Sequence, residues 1–525
     1  MFGVRPFGSL SFGACPDPAD WPTVFIGALE FTISTEYRIY AATEEWITGS
    51  DDIPADQPFS GALAQPLQFQ RSIVGSDGFS GFVQGQGELV ISNADGAYDF
   101  LPQFYALDGR DQQVRLGRAD LPFRQWHVIF TGTATDSHID ETDFRISLQD
   151  YGYKLDVPLQ TATYGGGGGV DGGADLAGKR KPRCFGYVSN AMPVLVRAQA
   201  QLYQVNDGPV RAVSAVYANG AALGHDGDYP SASALLAATI TEGRYATCLA
   251  EGLFRIRFLL DGQVITCDVE GDASGSGFAA TVGQVVRRIL SLATVIADPD
   301  GLYLPSFAAF DAAYGRDCGY YADQGSSATV SEVLSLLVGF GGYIGFRRNG
   351  KLQIARFARP VGPPAMRFDE THIRDIRREK LPSGLSPPPW RWRVGYGRNW
   401  TVQDSDVAGS VSAARRAFLK EEIRFAIAES NGVRTNHPFA QEREVGGYLR
   451  NEADALAEAQ ALLAMHATSA SLYRLSLDAQ PFGLEIGDDV FVAFPRFDLA
   501  AGRLLTVVEI NENAAEDAAE IVGYG

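Results

Sequence analysis

Cations are scarce in this sequence. Of 525 residues, 44 are Lys or Arg against 63 Asp or Glu, a net charge of −19. That balance excludes the dense cationic surface needed to wrap nucleic acid, though DNA can still pass nearby. Five cysteines, Cys15, Cys184, Cys248, Cys267 and Cys318, contain no C-x-x-C pair, so neither a disulfide framework nor a local zinc motif is indicated. Buried apolar thiols are the default reading, and nothing in the spacing of the four central ones favours an iron–sulfur cluster. The histidines, His127, His138, His225, His372, His437 and His466, form no H-E-x-x-H or H-x-H pair. No apolar run approaches the roughly 20 residues that span a bilayer. The opening "MFGVRPFGSLSFGACPDP" has no continuous apolar stretch of the signal-peptide kind. The expectation is a soluble protein made without export.

Catalytic signatures are missing as well. There is no G-x-S-x-G elbow and no paired Cys and His pattern. The carboxylates are so dispersed that any choice of two for glycoside hydrolysis would be arbitrary. The expected protein is not an enzyme, with no catalytic residue, no cofactor and no metal site.

Glycine is abundant, at 58 residues. The stretch "YGGGGGVDGGADLAGKRKPRCFG" begins at Tyr164 and fits G-x-x-x-x-G-K from Gly173, but Arg180 stands where a magnesium-binding hydroxyl belongs. Pro182 also breaks the helix such a loop must open. The better reading is a flexible joint in which Gly165 to Gly169 accept any angle between domains without contributing packing. Lys179, Arg180, Lys181 and Arg183 then face solvent or an acidic neighbour.

Short alternating segments from about residue 22 to 160, including "VFIGALEFTIS", "GELVIS", "WHVIFTGTATDSHI" and "FRISLQD", predict antiparallel β-structure at barrel or sandwich spacing. In "SNADGAYDFL", Asn93, Asp95 and Gly96 predict a β-turn; Asp95 and Asp99 do not complete a calcium loop. After the glycines the pattern is again β-rich, with a tight hairpin expected at the Asp-Gly of "LLDGQVITC". Helical periodicity appears in "TVGQVVRRILSLA", "SFAAFDAAYG" and the start of "TVSEVLSLLVGFGGYIGF", where Glu332 lies near the helix start. The hairpin "YIGFRRNGKLQIARF" has Asn349 and Gly350 suited to a type I′ turn. Beyond the break "LPSGLSPPPW", "WRWRVGYGRNW" alternates at period two. Its Trp390, Trp392, Tyr396 and Trp400 therefore read as a packed strand before a sugar-stacking platform. "ADALAEAQALLAMHA" places Leu456, Ala459, Leu462 and Leu463 on one helical face.

The fold class expected is mainly β with α+β insertions, multi-domain, with tube-like β-barrels at the chain ends joined by smaller β and α+β domains. The expected divisions are residues 1–163 (first barrel), 164–280 (β-rich), 281–384 (α+β) and 385–525 (second barrel with an inserted helix).

The blocks "ELVISNADGAYDFL", "LDGRDQQVRLG", "VIFTGTATDSHIDETDFRISLQDYGYKLDVPLQ" and "LAGKRKPRCFGYVSNAMPVLV" resemble the baseplate hub or tail-tip proteins of long-tailed bacteriophages and gene transfer particles. "LEIGDDVFVAFPRFDLAAGRLLTVVEI" is similar to their last β-barrel. The resemblance implies a structural virion protein at the tail tip, assembled in the host cytoplasm. It would form a homotrimer whose two barrels per chain make a quasi-sixfold ring that opens for genome ejection. Implied partners are further copies of itself, distal tail ring and tail tube proteins, and tail fibre or receptor-binding proteins. Genomic DNA would pass transiently through the lumen without stable binding. Two other readings are a carbohydrate-binding or depolymerising tail protein and a hexameric distal tail ring protein. If each end is a separate barrel, the hairpins carrying Ile146 and Val507 should pair edge to edge with a neighbouring chain.

Overall fold

The computed structural model describes residues 38–525 apart from 76, 77, 80, 258–261, 469, 479, 480, 482 and 515–517. Cys15 and the strand expected in "VFIGALEFTIS" lie outside the described residues. Alternating apolar and polar residues build five strands in the first third of the chain: β1 (Leu63–Ser72), β2 (Gln86–Ser92), β3 (Asp111–Leu116), β4 (His127–Ile139) and β5 (Asp143–Gln149). In β5, Phe144, Ile146 and Leu148 are buried and the residues between them are not, the pattern of a sheet with one wet face. Six more strands come from the last third: β6 (Met366–Phe368), β7 (Ile373–Glu379), β8 (Leu472–Leu477), β9 (Asp489–Val492), β10 (Arg503–Asn513) and β11 (Ala518–Tyr524).

These eleven strands form one sheet, in the order β7-β8-β11-β10-β1-β2-β5-β4-β3, with β9 beside β10 and β6 beside β9. The protein is mainly β with several sheets, but the two separate end barrels are corrected. Among the described residues no sheet closes on itself, and the two ends of the chain are hydrogen-bonded to each other. The physical reason is the length of β10. Its first half pairs with β9 and its second half with β1 along one edge, while β11 occupies the other edge. Ile146 and Val507 are therefore fully buried in interior strands of one sheet, not on hairpins that reach a neighbour. The sheet also recruits β6 and β7, which precede the proline-rich break.

Between the two strand sets lie two five-stranded sheets that share one apolar core, to which Val216 and Cys267 come from one and Tyr245 and Phe254 from the other; a second core draws on Val194, Val196 and Leu253 of the latter sheet. Strands Leu253–Ile256 and Ile265–Asp272 fall in different sheets, so the Asp-Gly between them closes no tight hairpin; Asp261 itself is outside the described residues. Four longer helices follow: α1 (Val282–Ala293), α2 (Leu304–Tyr314), α3 (Val330–Val338) and α4 (Glu452–His466). α1 and α3 start on capping boxes, Thr281 with Gln284 and Thr329 with Glu332, which satisfy orphan amides at both ends of the box. α4 forms where expected but is rotated. Ala455, Glu458, Ala459, Leu462 and His466 are buried, while Leu456 is 38% exposed. Glu458 explains the rotation, since it accepts from Arg316 (2.5 Å) and from Arg356 inside the fold.

The glycine stretch is a closed loop. Thr163 bridges Arg180, the Tyr164 amide donates to Lys179 O (2.9 Å), and the Gly178 amide donates to Tyr164 O (2.8 Å). Inside it, the Gly166 amide reaches Asp171 O and the Gly168 amide reaches Gly172 O. The loop's entry and exit are thus side by side, and it sets no angle between domains, which corrects the reading as a slack joint. Past Gly178 and Lys179 the chain runs into the strand Arg183–Ala191 where a phosphate loop would open a helix, so the phosphate-loop geometry is absent. Three of the four cations have partners within the chain. Lys181 pairs with Asp171 (3.6 Å), Arg183 with Asp207 (3.3 Å), and Arg180 donates to Ser326 O.

Gly166 has φ +77°, and a Cβ there would lie 2.7 Å from Ala177 Cβ, whereas one at Gly167 would meet only Asp171 Oδ2 at 3.9 Å. Gly166→Ala should therefore cost about 1–2 kcal/mol and Gly167→Ala close to nothing. Thermal melts of the two variants against the parent check this, and equal effects would refute the closed-loop account.

Candidate functional site: the polar face and locked seam of the joined sheet

The wet face of the sheet is defined by register. Gln149 opposes Gln86, Gln86 opposes Gln70, Gln70 opposes Asn511, Asn511 opposes Glu520, and Glu520 opposes Ser476. A second row runs Asp136, Ser147, Glu88, Gln68, Asn513. Across the seam between β1 and β10, each of these two rows consists of amides, hydroxyls and carboxylates, with no Lys or Arg. Elsewhere on this face Arg115 donates to Gln113 and lies over the Phe123 ring, and two further cations are paired with carboxylates. Arg474 donates to Glu379 (2.7 Å), Glu509 (2.9 Å) and Glu520 (2.6 Å), and those hydrogen bonds raise its pKa against the opposing effect of burial. Arg145 pairs with Asp143 at 2.6 Å. The two rows themselves offer a phosphate backbone no cation to hold.

The opposite face carries charge where the alternation calls for apolar residues. In "FQRS" Arg71 is in phase with Phe69, and in "INEN" Glu512 is in phase with Ile510; both are buried. They meet Arg348, at the tip of the hairpin joining strands Gly342–Phe346 and Leu352–Arg356. The turn is not type I′, because only Gly350 has positive φ (+72°). The Arg347 amide donates to Lys351 O, and the Gly350 amide to Arg347 O, the pattern of a three-residue loop with a glycine bulge. That loop turns Arg348 inward. Its Nη1 and Nη2 donate to the two carboxylate oxygens of Glu512, both at 2.6 Å, a bidentate pair. Its Nε and Nη2 reach Leu484 O, and its backbone amide donates to Glu485 Oε1 (3.1 Å). Arg71 Nη1 donates to Glu485 Oε2 at 2.5 Å.

Three cations thus surround two carboxylates where the first strand set, the hairpin and the last strand set meet. Burial pushes Glu485 up, but Arg71, Arg348 and Arg347 outweigh it and hold its pKa below the ordinary value. Burial dominates at Asp488, which accepts from the Glu485 amide and is pushed up to about 6. Asp150 is likewise pushed up to about 6 by burial, despite accepting from the Gly85 and Gly152 amides.

Other residues singled out by sequence occupy packing roles. Strand Arg391–Tyr396 lies between two neighbours, with Trp392 fully buried and stacked on His466 of α4 at 5.4 Å. Trp400 packs beside Tyr320. Trp390 is flanked by Arg391 and Arg434. Asn93, Asp95 and Gly96 make the expected turn: Asn93 Nδ2 donates to Asp99 Oδ1, and the Ala97 amide donates to Asp95. Cys184, Cys248, Cys267 and Cys318 are buried thiols, and among the described residues no three His, Cys, Asp or Glu side chains group as metal ligands. Arg71, Arg348, Glu485 and Glu512 were not foreseen. For Arg71 and Glu512 a signal existed, a charged residue in phase with the apolar face of its strand.

No family model matches the sequence, and no curated protein matches it. Solved structures to which the chain is similar include tail proteins and a component of a type VI secretion system. A tail protein from Neisseria meningitidis has 8% identity over 95% of this chain and 97% of its own, with a TM-score of 0.41. The 43 kDa tail protein of prophage MuSo2 from Shewanella oneidensis has 9% identity over 91% and 97%, with a TM-score of 0.37. A chain of the virion of a native gene transfer agent particle has 14% identity over 66% and 84%, with a TM-score of 0.38.

Removing one member of the ion cluster strands the others. Arg348→Met should destabilise by about 3–5 kcal/mol, and the double change Arg348→Met with Glu512→Leu should recover much of that loss. Denaturant titration of the three proteins is the check, and additive losses would show that the pair is not coupled.

Asp488 supplies a pH signature. Its native pKa lies above its unfolded one, so between about pH 4 and 6 the native state binds more protons, and its burial cost is full only above that window. Asp488→Asn should therefore be more stable than the parent at pH 7.5, by about 1–2 kcal/mol, and lose that advantage by pH 4. Melting temperatures of the two proteins across this range test it; a gap independent of pH would assign the gain to another cause.

Proposed function

We propose that this chain is a tail-tip hub: a structural protein, without catalysis or cofactor, that rings the distal end of a tail tube and passes the genome during ejection. The observation that carries the reading is the cation-free pair of rows running across a sheet made from both ends of the chain. A conduit for DNA works best when its wall does not bind phosphate, and amides with carboxylates provide that wall. The sequence blocks that resemble tail-tip hubs include β2, β3, β4, β5, β9 and part of β10, all in this sheet.

In this reading residues 1–163 supply one wall segment and β6 to β11, which begin at Met366, supply the adjacent one, while 164–280 and the part of 281–384 before Met366 stand outside as docking and bracing domains. The contact between β1 and β10 joins two segments within a chain, and an outer-strand contact of β3 with β7 from the next copy closes the ring. Three copies give six segments, which match a sixfold ring above. The hub then contacts distal tail ring, tube and fibre proteins, and DNA only in transit.

Two measurements test this. Light scattering of the purified chain should give three times the chain mass, whereas six copies would favour a distal tail ring. Gln68→Lys, Gln70→Lys and Asn511→Lys together should leave the melting temperature near that of the parent. The particles should nevertheless eject DNA more slowly, and the purified ring should gain salt-sensitive DNA binding with a slope of about 3 per chain. Unchanged ejection from particles carrying all three lysines would place this face outside the lumen.

A further inference from the structure

A second feature lies away from the polar face. The proline-rich break, the segment around Phe439, the end of α4 and β11 enclose a cavity of about 470 Å³, lined by Lys380, Leu385, Pro388, Phe439, His466 and Tyr524 among others. Its entrance is apolar, with Phe439 85% exposed. Its floor is polar and unsatisfied. His466 is 2% exposed and Tyr524 fully buried, yet neither ring nitrogen of His466 nor the Tyr524 hydroxyl has a hydrogen-bond partner. Buried polar groups are almost always paired, and leaving them unpaired costs stability. The imidazole is held in place by Trp392 and by Phe340 at 6.2 Å.

The surrounding charges have one sign. Among the described lining residues Lys380 is cationic and none is Asp or Glu, in a chain where acids outnumber cations. Arg359 sits beside the end of α4, donating to Met465 O (2.9 Å) and Thr468 O (3.1 Å), and Arg443 donates to Gly384 O (2.6 Å). We propose that this cavity binds a carboxylate carried on an apolar stem, with the stem against Leu385, Pro388 and Phe439 and the carboxylate on His466 and Tyr524. Such a group comes from a free small acid or from the C-terminus of a partner chain. Burial first, and Arg359 and Arg443 next, push the empty His466 down to about 4. A bound carboxylate reverses this by favouring the imidazolium, so binding takes up a proton. The titratable or charged groups around the imidazole are Arg359, Arg443, Lys380, His437 and Tyr524.

The test uses the full chain with ¹³C-labelled histidine, titrated with 3-phenylpropionate and with its amide. The acid should bind at least about tenfold more tightly than the amide, and it should raise the His466 titration midpoint by about one pH unit or more. An octapeptide ending in Phe with a free carboxylate, but not its amidated form, should displace the acid if the source is a chain terminus; failure to displace assigns the site to free acids. His466→Phe keeps the stack on Trp392 and removes the unpaired nitrogens. It should melt no lower than the parent and lose the preference for acid over amide, while Lys380→Gln should weaken the acid about threefold. Equal affinity for acid and amide, an unmoved His466 midpoint, or full acid binding by His466→Phe would overturn the assignment.

Discussion

The architecture depends on the buried contact of Arg348 with Glu512 and Glu485, and of Glu485 with Arg71. Desolvating these charges is costly, and their mutual attraction offsets that cost only if all of them are in place with good geometry. The cluster is therefore conditional. A slip of β10 by one residue against β1 would turn Glu512 to the wet face and bring Asn511 inside, leaving Arg348 buried without its carboxylate. Apolar packing tolerates approximate fits, whereas a bidentate pair at 2.6 Å does not. The same requirement fixes the hairpin tip, whose three-residue loop is what delivers the guanidinium.

Because the cluster sets register, it also sets the opposite surface. The two rows of Gln, Asn, Ser and carboxylate residues align only when β2, β1, β10 and β11 hold their observed pairing. Chemistry on the hidden side thus determines which side chains the open side presents. The wet face needs no dedicated packing of its own to stay smooth. Among its cations, Arg474 is held by Glu379 and Glu520 on the two strands beside it.

Much of the local structure was legible in the sequence, because its causes lie within a few residues. The helices of "TVGQVVRRILSLA" and "TVSEVLSLL" follow from apolar spacing and from Thr281 and Thr329 as caps, and the strand alternation of "FRISLQD" survives intact. What was not legible depended on distant partners. The α4 face turned because Glu458 found Arg316 and Arg356. The Asn349–Gly350 turn lengthened because Arg348 had a buried destination. The glycine stretch closed because the Tyr164 hydroxyl donates to Gln204 Oε1 at 2.6 Å and its backbone pairs back to Lys179. The joining of the two end segments could not be read from periodicity, since each segment taken alone has a barrel's pattern and nothing local says which edge meets which.

The seam has a consequence in time. Arg71 and Glu485 are 414 residues apart. At about 5–20 residues per second, the ribosome needs on the order of twenty to eighty seconds to make the second after the first. During that interval β1 has β2 on one side and a bare ladder on the other, an edge that attracts foreign strands. A charged residue facing inward is one way to make such an edge a poor template. Arg71 does this while β10 is still unmade, and becomes a lock once β10 arrives.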